Sequence, residues 1–276
     1  MNRKVVVKVA AMLGIGVVVG GWSVAARADD GDARFGGLSA GIHAGAARGR
    51  SDYGTDANCP PVVVDAVFCN AVPDPSAVNG QAVGSSGSGR ASSNGAAGGV
   101  QIAYNWQADR LVYGGEADFS LLDIDETTSA SGAFPFAFAG TQYSVTNRTA
   151  VKWMSTLRGR WGMIVAPQML LYATGGVALA QIEVSGSYSD NANNGIVPGG
   201  SGSASADKVK AGWVLGGGAQ WAFDRQWSLK AEYLYTDFGP VSVDVPLTNS
   251  PAFTQTITAH SEVSLHILRI GLDYRF

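Results

Sequence analysis

Eight segments of the chain alternate apolar and polar residues with a period of two. In the segment that begins at Leu111, Tyr113 and Phe119 fall on one face. Glu116 and Asp118 fall on the other face. This period is typical of β-strands whose two faces have different surroundings, and no long stretch repeats with the period of a helix. The eight predicted strands lie near residues 36–48, 97–106, 111–123, 150–165, 169–184, 211–223, 227–238 and 262–276.

The connections between these segments alternate in length. Three are tight turns at 107–110, 166–168 and 224–226, and four are long and rich in Gly, Ser, Asn and Pro, at about 49–96, 124–149, 185–210 and 239–261. Outer-membrane barrels have an even number of strands, short periplasmic turns and long extracellular loops. The pattern therefore predicts an all-β fold, an eight-stranded antiparallel up-and-down transmembrane β-barrel with long extracellular loops. The low-complexity tract from Gly84 to Gly99 predicts a flexible part of the first loop.

The spacing of the tryptophans agrees with a membrane-spanning wall. Trp153 and Trp161 lie eight residues apart on one face, and Trp213 and Trp221 repeat that spacing two strands later. Eight residues at about 3.3 Å each, tilted by about 40°, rise roughly 20 Å, which is close to the height of the apolar band of such barrels. With Trp227, these residues are predicted to form the aromatic girdles at the two membrane interfaces.

In four of the predicted strands, no charged residue falls on the apolar face over the spans 111–121, 153–163, 227–235 and 268–276. A charge on the lipid face near the midplane costs about 2–4 kcal/mol, so the charged side chains of these strands are expected inside the barrel. The inward set is Glu116, Asp118, Arg158, Arg160, Lys230, Glu232, Arg269, Asp273 and Arg275. Its near-balance of sign favours ion pairs over an ion pathway, because an unpaired buried charge is strongly unfavourable. The segment from Leu170 to Ala180 is apolar on both faces and leaves the facing of the fifth strand open.

Counting positions from the ends of the strands predicts which charges pair. This count takes Leu111 to be level with Val165, and Trp227 to be level with Phe276. It predicts a stack of three lumenal ion pairs, which are Glu116–Arg160, Asp118–Arg158 and Lys230–Asp273.

The first residues predict export. Three basic residues within the first eight precede an uncharged apolar run from Val9 to about Gly21, and the small-x-small sequence Ala26-Arg27-Ala28 follows. This arrangement is typical of a secretory signal peptide, so we expect a signal peptide over 1–28 and the barrel over 29–276. A transmembrane anchor is the alternative, since no charge lies between Lys8 and Arg27.

Charge and cysteine content narrow the function classes. The chain has 19 Lys and Arg and 22 Asp and Glu, and the predicted signal peptide holds four of the basic residues and no acid. The mature part therefore carries a formal charge of −7 (15 − 22), which argues against nucleic acid as a partner. Cys59 and Cys69 lie in a Pro-rich segment and predict one local disulfide in an exported protein. They are too few for a metal site, and no cofactor is predicted.

Several segments together resemble the small outer-membrane β-barrel surface antigens of alphaproteobacteria, a porin-family or outer-membrane immunogenic protein type akin to the OmpA transmembrane domain. The segments are VQIAYNW at 100–106, TLRGR at 156–160, LYATGGVA at 171–178, WSLKAEYLYTDFG at 227–239 and RIGLDYRF at 269–276. The resemblance implies a barrel in the outer membrane of a Gram-negative bacterium. It also implies that Tyr274 and Phe276 form the C-terminal signal read by the barrel-assembly machinery.

Two residue sets invite chemical hypotheses. Glu262, Ser264 and His266 share one face of the last strand, a combination that barrel-borne lipid hydrolases use. Residues two apart on one face lie roughly 7 Å apart, which is too far for a direct nucleophile–base hydrogen bond, so these are interpreted as polar residues above the membrane and no enzyme is predicted. His43 and His260 are candidates for haem iron, although lone histidines are more often structural.

The sequence thus predicts a non-enzymatic outer-membrane surface protein with a role in envelope integrity and surface interaction, whose lumen is plugged by ion pairs. A narrow porin-like channel for small solutes is the first alternative. Haemin binding through the loops is the second, and a host surface is a further expected partner of those loops.

Overall fold

The computed structural model describes residues 34–58, 78–135, 140–192, 199–247 and 256–276, in which eight antiparallel strands close into one barrel. Each strand pairs with the next in sequence, and the last pairs with the first. The predicted fold class is confirmed. The strands are β1 (Gly37–Asn58), β2 (Gly89–Ala108), β3 (Leu111–Ala133), β4 (Gln142–Ala166), β5 (Met169–Asp190), β6 (Ser201–Ala222), β7 (Trp227–Pro246) and β8 (Thr256–Arg275), with helix α1 (Val78–Ser86) between β1 and β2.

The predicted signal peptide, Cys59 and Cys69 lie outside the described residues. Within the described ranges, no helix has the length and apolar character needed to cross a membrane. The three short turns lie at one end of the barrel, which we call the turn end. The long connections lie at the other, which we call the loop end.

The strands are staggered around the barrel. From Gln101, register partners lead one way through Asp118, Thr156 and Ala178 to Gly212, and the other way through Gly41, Asp273 and Ser228 to Ala222. Gly212 and Ala222 both lie on β6, ten residues apart. For eight strands this stagger corresponds to a tilt of about 40° and to an interior that side chains can fill.

The strands extend beyond the predicted ones on the side of the loop end. The predicted flexible tract was wrong from Gly89 onwards, because β2 begins there and pairs with β1 as far as Tyr53. Period two is visible only when the two faces of a strand differ in polarity. The small and polar residues of 89–96 show no such contrast, although their backbone completes the ladder.

The structure settles the facing of β5. Leu170, Tyr172 and Thr174 are buried inside the barrel, whereas Leu171 and Val177 are exposed on its outer surface. The neighbouring strand β6 is rich in glycine here. A Cβ atom at Gly218 would lie 2.6 Å from the Tyr172 hydroxyl, so glycine provides the space that this ring occupies.

The lumen is filled in layers from the turn end to the loop end. An apolar cluster at the turn end contains Phe35, Val112, Leu170, Tyr172 and Ala222. A layer of buried charges lies above it. Next comes the largest apolar cluster, which includes Ile124, Met154, Ile182, Leu234, Leu265 and Ile267. At the loop end, Val83 of α1 packs with Tyr143, Val145, Tyr188, Val245 and Ile257 of the surrounding strands.

Candidate functional site

Arg158 is the centre of a buried charge network in the lumen. Its Nη2 atom lies 2.6 Å from Glu116 Oε1 and 2.9 Å from Asp118 Oδ2. Its Nη1 atom lies 3.0 Å from Glu232 Oε1. These four side chains are fully buried, so each charge depends on the others for the interactions that water would otherwise supply.

Arg269, Lys230 and Arg160 complete the network. Arg269 contacts Glu232 at 2.6 Å and Asp118 at 3.2 Å, and Lys230 Nζ lies 2.7 Å from Glu116 Oε1. Arg160 Nη1 lies 3.3 Å from Glu116 Oε2, but the two atoms do not form a hydrogen bond. Glu116 Oε2 is buried and accepts no hydrogen bond. Arg160 is therefore held less tightly by the carboxylates than Arg158 is.

The structure brings two of the three predicted pairs together. Glu116 contacts Arg160, and Asp118 contacts Arg158. The predicted Lys230–Asp273 pair was wrong, since Lys230 binds Glu116. Asp273 instead accepts a hydrogen bond of 2.5 Å from the Gln101 amide.

The error has a geometric cause. The strand ends taken as level are staggered by two residues, because Leu111 pairs with Met163 and Trp227 pairs with Tyr274. Glu116 is consequently level with Arg158. In the same way Ser228, and not Lys230, is level with Asp273.

Arg275 was also expected among the lumenal charges, but it lies at the turn end, where its guanidinium donates to the Arg225 carbonyl at 2.6 Å. Without Arg275, the buried layer contains four cations and four carboxylates, and their formal charges cancel. These residues are Arg158, Arg160, Lys230 and Arg269 together with Glu116, Asp118, Glu232 and Asp273.

Uncharged polar side chains complete the network and were not predicted. Tyr172 donates to Glu232 at 3.0 Å, and its ring lies 4.0 Å below the Arg160 guanidinium carbon. Arg160 also donates to the Gln220 amide oxygen at 2.9 Å. The sequence did not indicate that Tyr172 faces the lumen, because its strand is apolar on both faces. Gln220 could have been found from the sequence, because it lies on the same inward face of β6 as Gly218.

The large apolar cluster closes the lumen above the charges. Met154, Leu234 and Leu265 are fully buried in this cluster, so apolar side chains fill much of the lumen between the charge layer and the loop end. Helix α1 forms a further plug. Tyr143 on the inner face of β4 donates to the Ala82 carbonyl at 3.0 Å, and this bond holds the helix inside the mouth of the barrel.

The predicted girdle residues lie on the outer surface in two groups. Trp161, Trp221 and Trp227 are exposed near the turn end. Trp153 stacks on Phe119 with ring centroids 5.8 Å apart, and Trp213 contacts Tyr235 at 5.2 Å, both nearer the loop end. The C-terminal aromatics pack at the turn end, where Tyr274 and Phe276 form an edge contact at 5.2 Å.

The three histidines lie in separate surroundings, and His260 lies 3.3 Å from an Asp56 carboxylate oxygen. His43 is buried in the lumen, where its ring nitrogens bind Gln101 and Ser120, so they are closed to a haem at the surface. His266 Nδ1 lies 2.6 Å from the Tyr233 hydroxyl, and its hydrogen-bond partner is therefore not Ser264. In the described part of the chain, no group of three or more His, Cys, Asp or Glu could hold a metal ion.

Ion pairs also lie on the outer wall above the loop-end girdle. Arg148 binds Asp125 at 2.5 Å and Glu183 at 3.3 Å, and Lys152 binds Glu183 at 2.8 Å. Inside the same part of the wall, Glu126 accepts a hydrogen bond of 2.8 Å from Ser51. Burial raises the pKa of the Glu126 carboxyl above its ordinary value, and the Ser51 hydrogen bond opposes this shift.

Known proteins resemble the chain over most of its length. A family model described as outer membrane protein beta-barrel domain matches residues 17–276. The 31 kDa outer-membrane immunogenic protein of Brucella melitensis is 35% identical over 192 residues, which cover 69% of this chain and 70% of that protein. The 22 kDa outer membrane protein of Rhizobium leguminosarum bv. viciae is 29% identical over 64% of either chain. Among solved structures, OprG from Pseudomonas aeruginosa aligns with 87% of this chain and 96% of its own, at 11% identity and a TM-score of 0.43.

Proposed function

The chain belongs to the family of outer membrane protein β-barrel domains and is an outer-membrane protein, and on this premise we propose that it is a non-enzymatic structural barrel with a closed lumen. Its turn end faces the periplasm and its loop end faces the outside. The long connections present a surface for interaction, while the wall anchors them in the envelope. The immunogenic label of the Brucella relative supports exposure of such connections at the cell surface.

The observation that carries this proposal is the layered filling of the lumen. Eight buried charges compensate one another, and the apolar cluster around Met154 and Leu265 lies above them. A conducting pore needs continuous polar space, and ions do not cross an apolar layer of this kind without a large desolvation cost. No observation among the described residues favours the narrow channel.

Single-channel conductance in a planar bilayer tests the proposal. We expect the refolded protein to show no steady conductance, and Arg160→Ala to remain silent as well, because the apolar layer is unchanged. Heat-modifiable migration in a gel verifies that each sample is folded, and a known porin verifies that the bilayer detects channels. A steady conductance whose size changes in Arg160→Ala would overturn the closed lumen and place the protein among narrow channels.

Three features of the precursor complete the proposal. Residues 1–28 are removed on export, Cys59 and Cys69 form a disulfide, and Tyr274 with Phe276 directs recognition by the barrel-assembly machinery. The intact mass of the protein extracted from membranes, measured with and without reductant, tests the first two. For the third, Phe276→Ala should lower the amount of folded barrel in cells and leave refolding in detergent micelles unchanged. Equal amounts in cells would contradict the assembly role.

A further inference from the structure

An open cleft of about 540 Å³ lies on the outer surface of the barrel, across β2, β1, β8 and β7. It contains three arginines and three acids on outward-facing positions, which are Arg48, Arg50, Arg90, Asp52, Asp237 and Glu262. Charged residues on the outer face are expected only beyond the apolar band of the membrane. The cleft therefore marks where the wall leaves the bilayer on this side.

The register gives the height of the cleft. A row of partners leads from Trp213 through Asp237 and Ser264 to Arg50. Following register partners from β6 through β7 and β8 to β1 leads towards the loop end. The reason is that the complete circuit in this direction starts at Ala222 and returns to β6 at Gly212, ten residues nearer the loop end. At a tilt of about 40° each step rises about 3 Å, so Arg50 lies about 9 Å above Trp213. With Trp213 at the interface, this is the level of the lipid headgroups.

The two arginines nearest the membrane are not neutralised by carboxylates. Arg48 donates to the Ser92 hydroxyl at 3.1 Å, and among the described residues neither it nor Arg50 forms an ion pair. The third arginine, Arg90, is paired with Asp52 at 2.7 Å. The other two acids of the cleft are Glu262 and Asp237, which accepts the Gly239 backbone amide, and neither forms an ion pair with Arg48 or Arg50.

The other side of the barrel differs at this height. There, the cations Arg148 and Lys152 are both paired with carboxylates of the wall. Lys208 and Lys210 of β6 also lie above Trp213, but their ammonium groups donate to the Ser242 and Pro240 carbonyls. The cleft differs from both regions, because it presents two arginines without carboxylate partners. Arginine binds phosphate oxygens through two parallel N–H donors, which makes phosphate the ligand that this pair suits best.

A groove of small residues lies on the lipid face directly below Arg48. Ala46 pairs with Ala96, and Ala44 pairs with Gly98, so that two adjacent strands present almost no side chain to the bilayer. Exposed leucines border the groove on both sides, since Ala46 pairs with Leu268 of β8 and Gly98 pairs with Leu121 of β3. With strands about 4.8 Å apart, the groove is about as wide as one or two acyl chains.

We propose that the cleft and the groove together bind one lipid of the outer leaflet. Arg48 and Arg50 hold its phosphorylated headgroup, and the groove of Ala44, Ala46, Ala96 and Gly98 receives an acyl chain. This binding site goes beyond the role of a closed structural barrel, because a closed barrel with an evenly covered surface would serve that role equally well.

Native mass spectrometry of the refolded protein, released from detergent micelles with added lipid, tests the proposal. The probes are dioleoylphosphatidylglycerol, dioleoylglycerol (which has the same acyl chains and no phosphate) and inorganic phosphate. We expect one phosphatidylglycerol to remain bound, and at least about a tenfold weaker retention in the double variant Arg48→Ala/Arg50→Ala, since each lost charge-assisted hydrogen bond contributes at this scale. Arg148→Ala is the matched control and should change retention less than twofold.

A second pair of variants tests the groove. Ala46→Leu fills the groove and should weaken phosphatidylglycerol retention severalfold, whereas Ala173→Leu, at another outward-facing position, should not. Heat-modifiable migration verifies folding of each variant. Equal retention of dioleoylglycerol, equal retention by the double arginine variant, or displacement of the lipid by inorganic phosphate at similar concentration would each overturn the proposal. The last of these outcomes would indicate a site for free phosphate.

Discussion

The barrel holds arginine–carboxylate pairs of nearly equal distance in two different surroundings. In the lumen, Arg158 and Glu116 lie 2.6 Å apart, and neither side chain is exposed to solvent. On the outer wall above the girdle, Arg148 and Asp125 lie 2.5 Å apart, with side chains 37% and 50% exposed. Distance does not distinguish the two pairs. Their energies differ because water screens the second pair and is absent from the first.

The comparison shows what the buried charges do. Removing one partner of a buried pair leaves an uncompensated charge that water cannot reach, which costs about 3–5 kcal/mol. An exposed pair contributes about 0–1 kcal/mol, because each partner can be solvated alone. The barrel is therefore stable only when β3, β4, β7 and β8 place their charged side chains together in the lumen. The ion pairs on the outer wall do not restrict the strands in this way.

The largest effect is expected for Arg158→Met. This change removes the contacts of Arg158 with Glu116, Asp118 and Glu232 and leaves one buried negative charge uncompensated, although Arg269 still contacts all three carboxylates. The free energy of unfolding should fall by about 3–5 kcal/mol. Urea unfolding of the barrel in detergent micelles, followed by tryptophan fluorescence, measures it. A loss below about 1 kcal/mol would show that water enters the lumen and solvates these carboxylates.

A smaller effect is expected for Arg160→Met. Arg160 contacts Glu116 without hydrogen-bond geometry, and its amide partner Gln220 keeps a second bond to the Ser228 hydroxyl at 2.8 Å. The free energy of unfolding should fall by about 1–3 kcal/mol in the same urea titration, the cost of unsatisfied buried partners. A loss equal to that of Arg158→Met would mean that the contacts of the two arginines are equivalent.

Arg148→Met is the matched change on the outer wall. It removes the pairs with Asp125 and Glu183, whose side chains remain in contact with solvent. The free energy of unfolding should change by less than about 1 kcal/mol, and raising the salt concentration should reduce even that difference. A loss comparable to that of Arg158→Met would remove the distinction between wall and lumen.

The smallest effect concerns Glu126, which lies between the two surroundings. Burial raises the pKa of its carboxyl in the folded protein, so the ionised form is less favourable there than in the unfolded chain. Stability contributed by the neutral form is therefore lost as the pH rises through the raised pKa. Relative to Glu126→Gln, the protein should lose stability between pH 4 and pH 7 in urea titrations. A difference that does not change with pH would contradict the raised pKa.

The sequence predicts well which side chains of each strand point into the barrel, but it predicts poorly which residues pair between neighbouring strands. Period two placed Glu116, Arg158 and Lys230 inside because the membrane gives the two faces of each strand opposite requirements. Register depends on the tilt of the whole barrel and on bulges, such as the one between Leu121 and Ile124. Neither can be read from the polarity of a single strand, so the register of β3 with β4 and of β7 with β8 was miscounted by two residues.

Helix α1 shows a second limit. Its sequence VNGQAVGSS contains two glycines and has no amphipathic period, so nothing local predicts a helix. It is stabilised by its surroundings, through Val83 in the apolar mouth and the Tyr143 hydrogen bond. The left-handed turn residue Asp109, at φ 50°, is the opposite case, because aspartate tolerates that conformation and the tight turn was predicted from sequence.

The most direct test is a pair of double-mutant cycles, one for Glu116 with Arg158 and one for Asp125 with Arg148. Each cycle uses Gln for Glu or Asn for Asp, Met for arginine, and the free energy of unfolding in micelles as the measured quantity. We expect a coupling free energy above about 2 kcal/mol in the lumen and below about 1 kcal/mol on the wall. Equal couplings would show that burial does not set the strength of these pairs, and would contradict a lumen closed by a desolvated charge network.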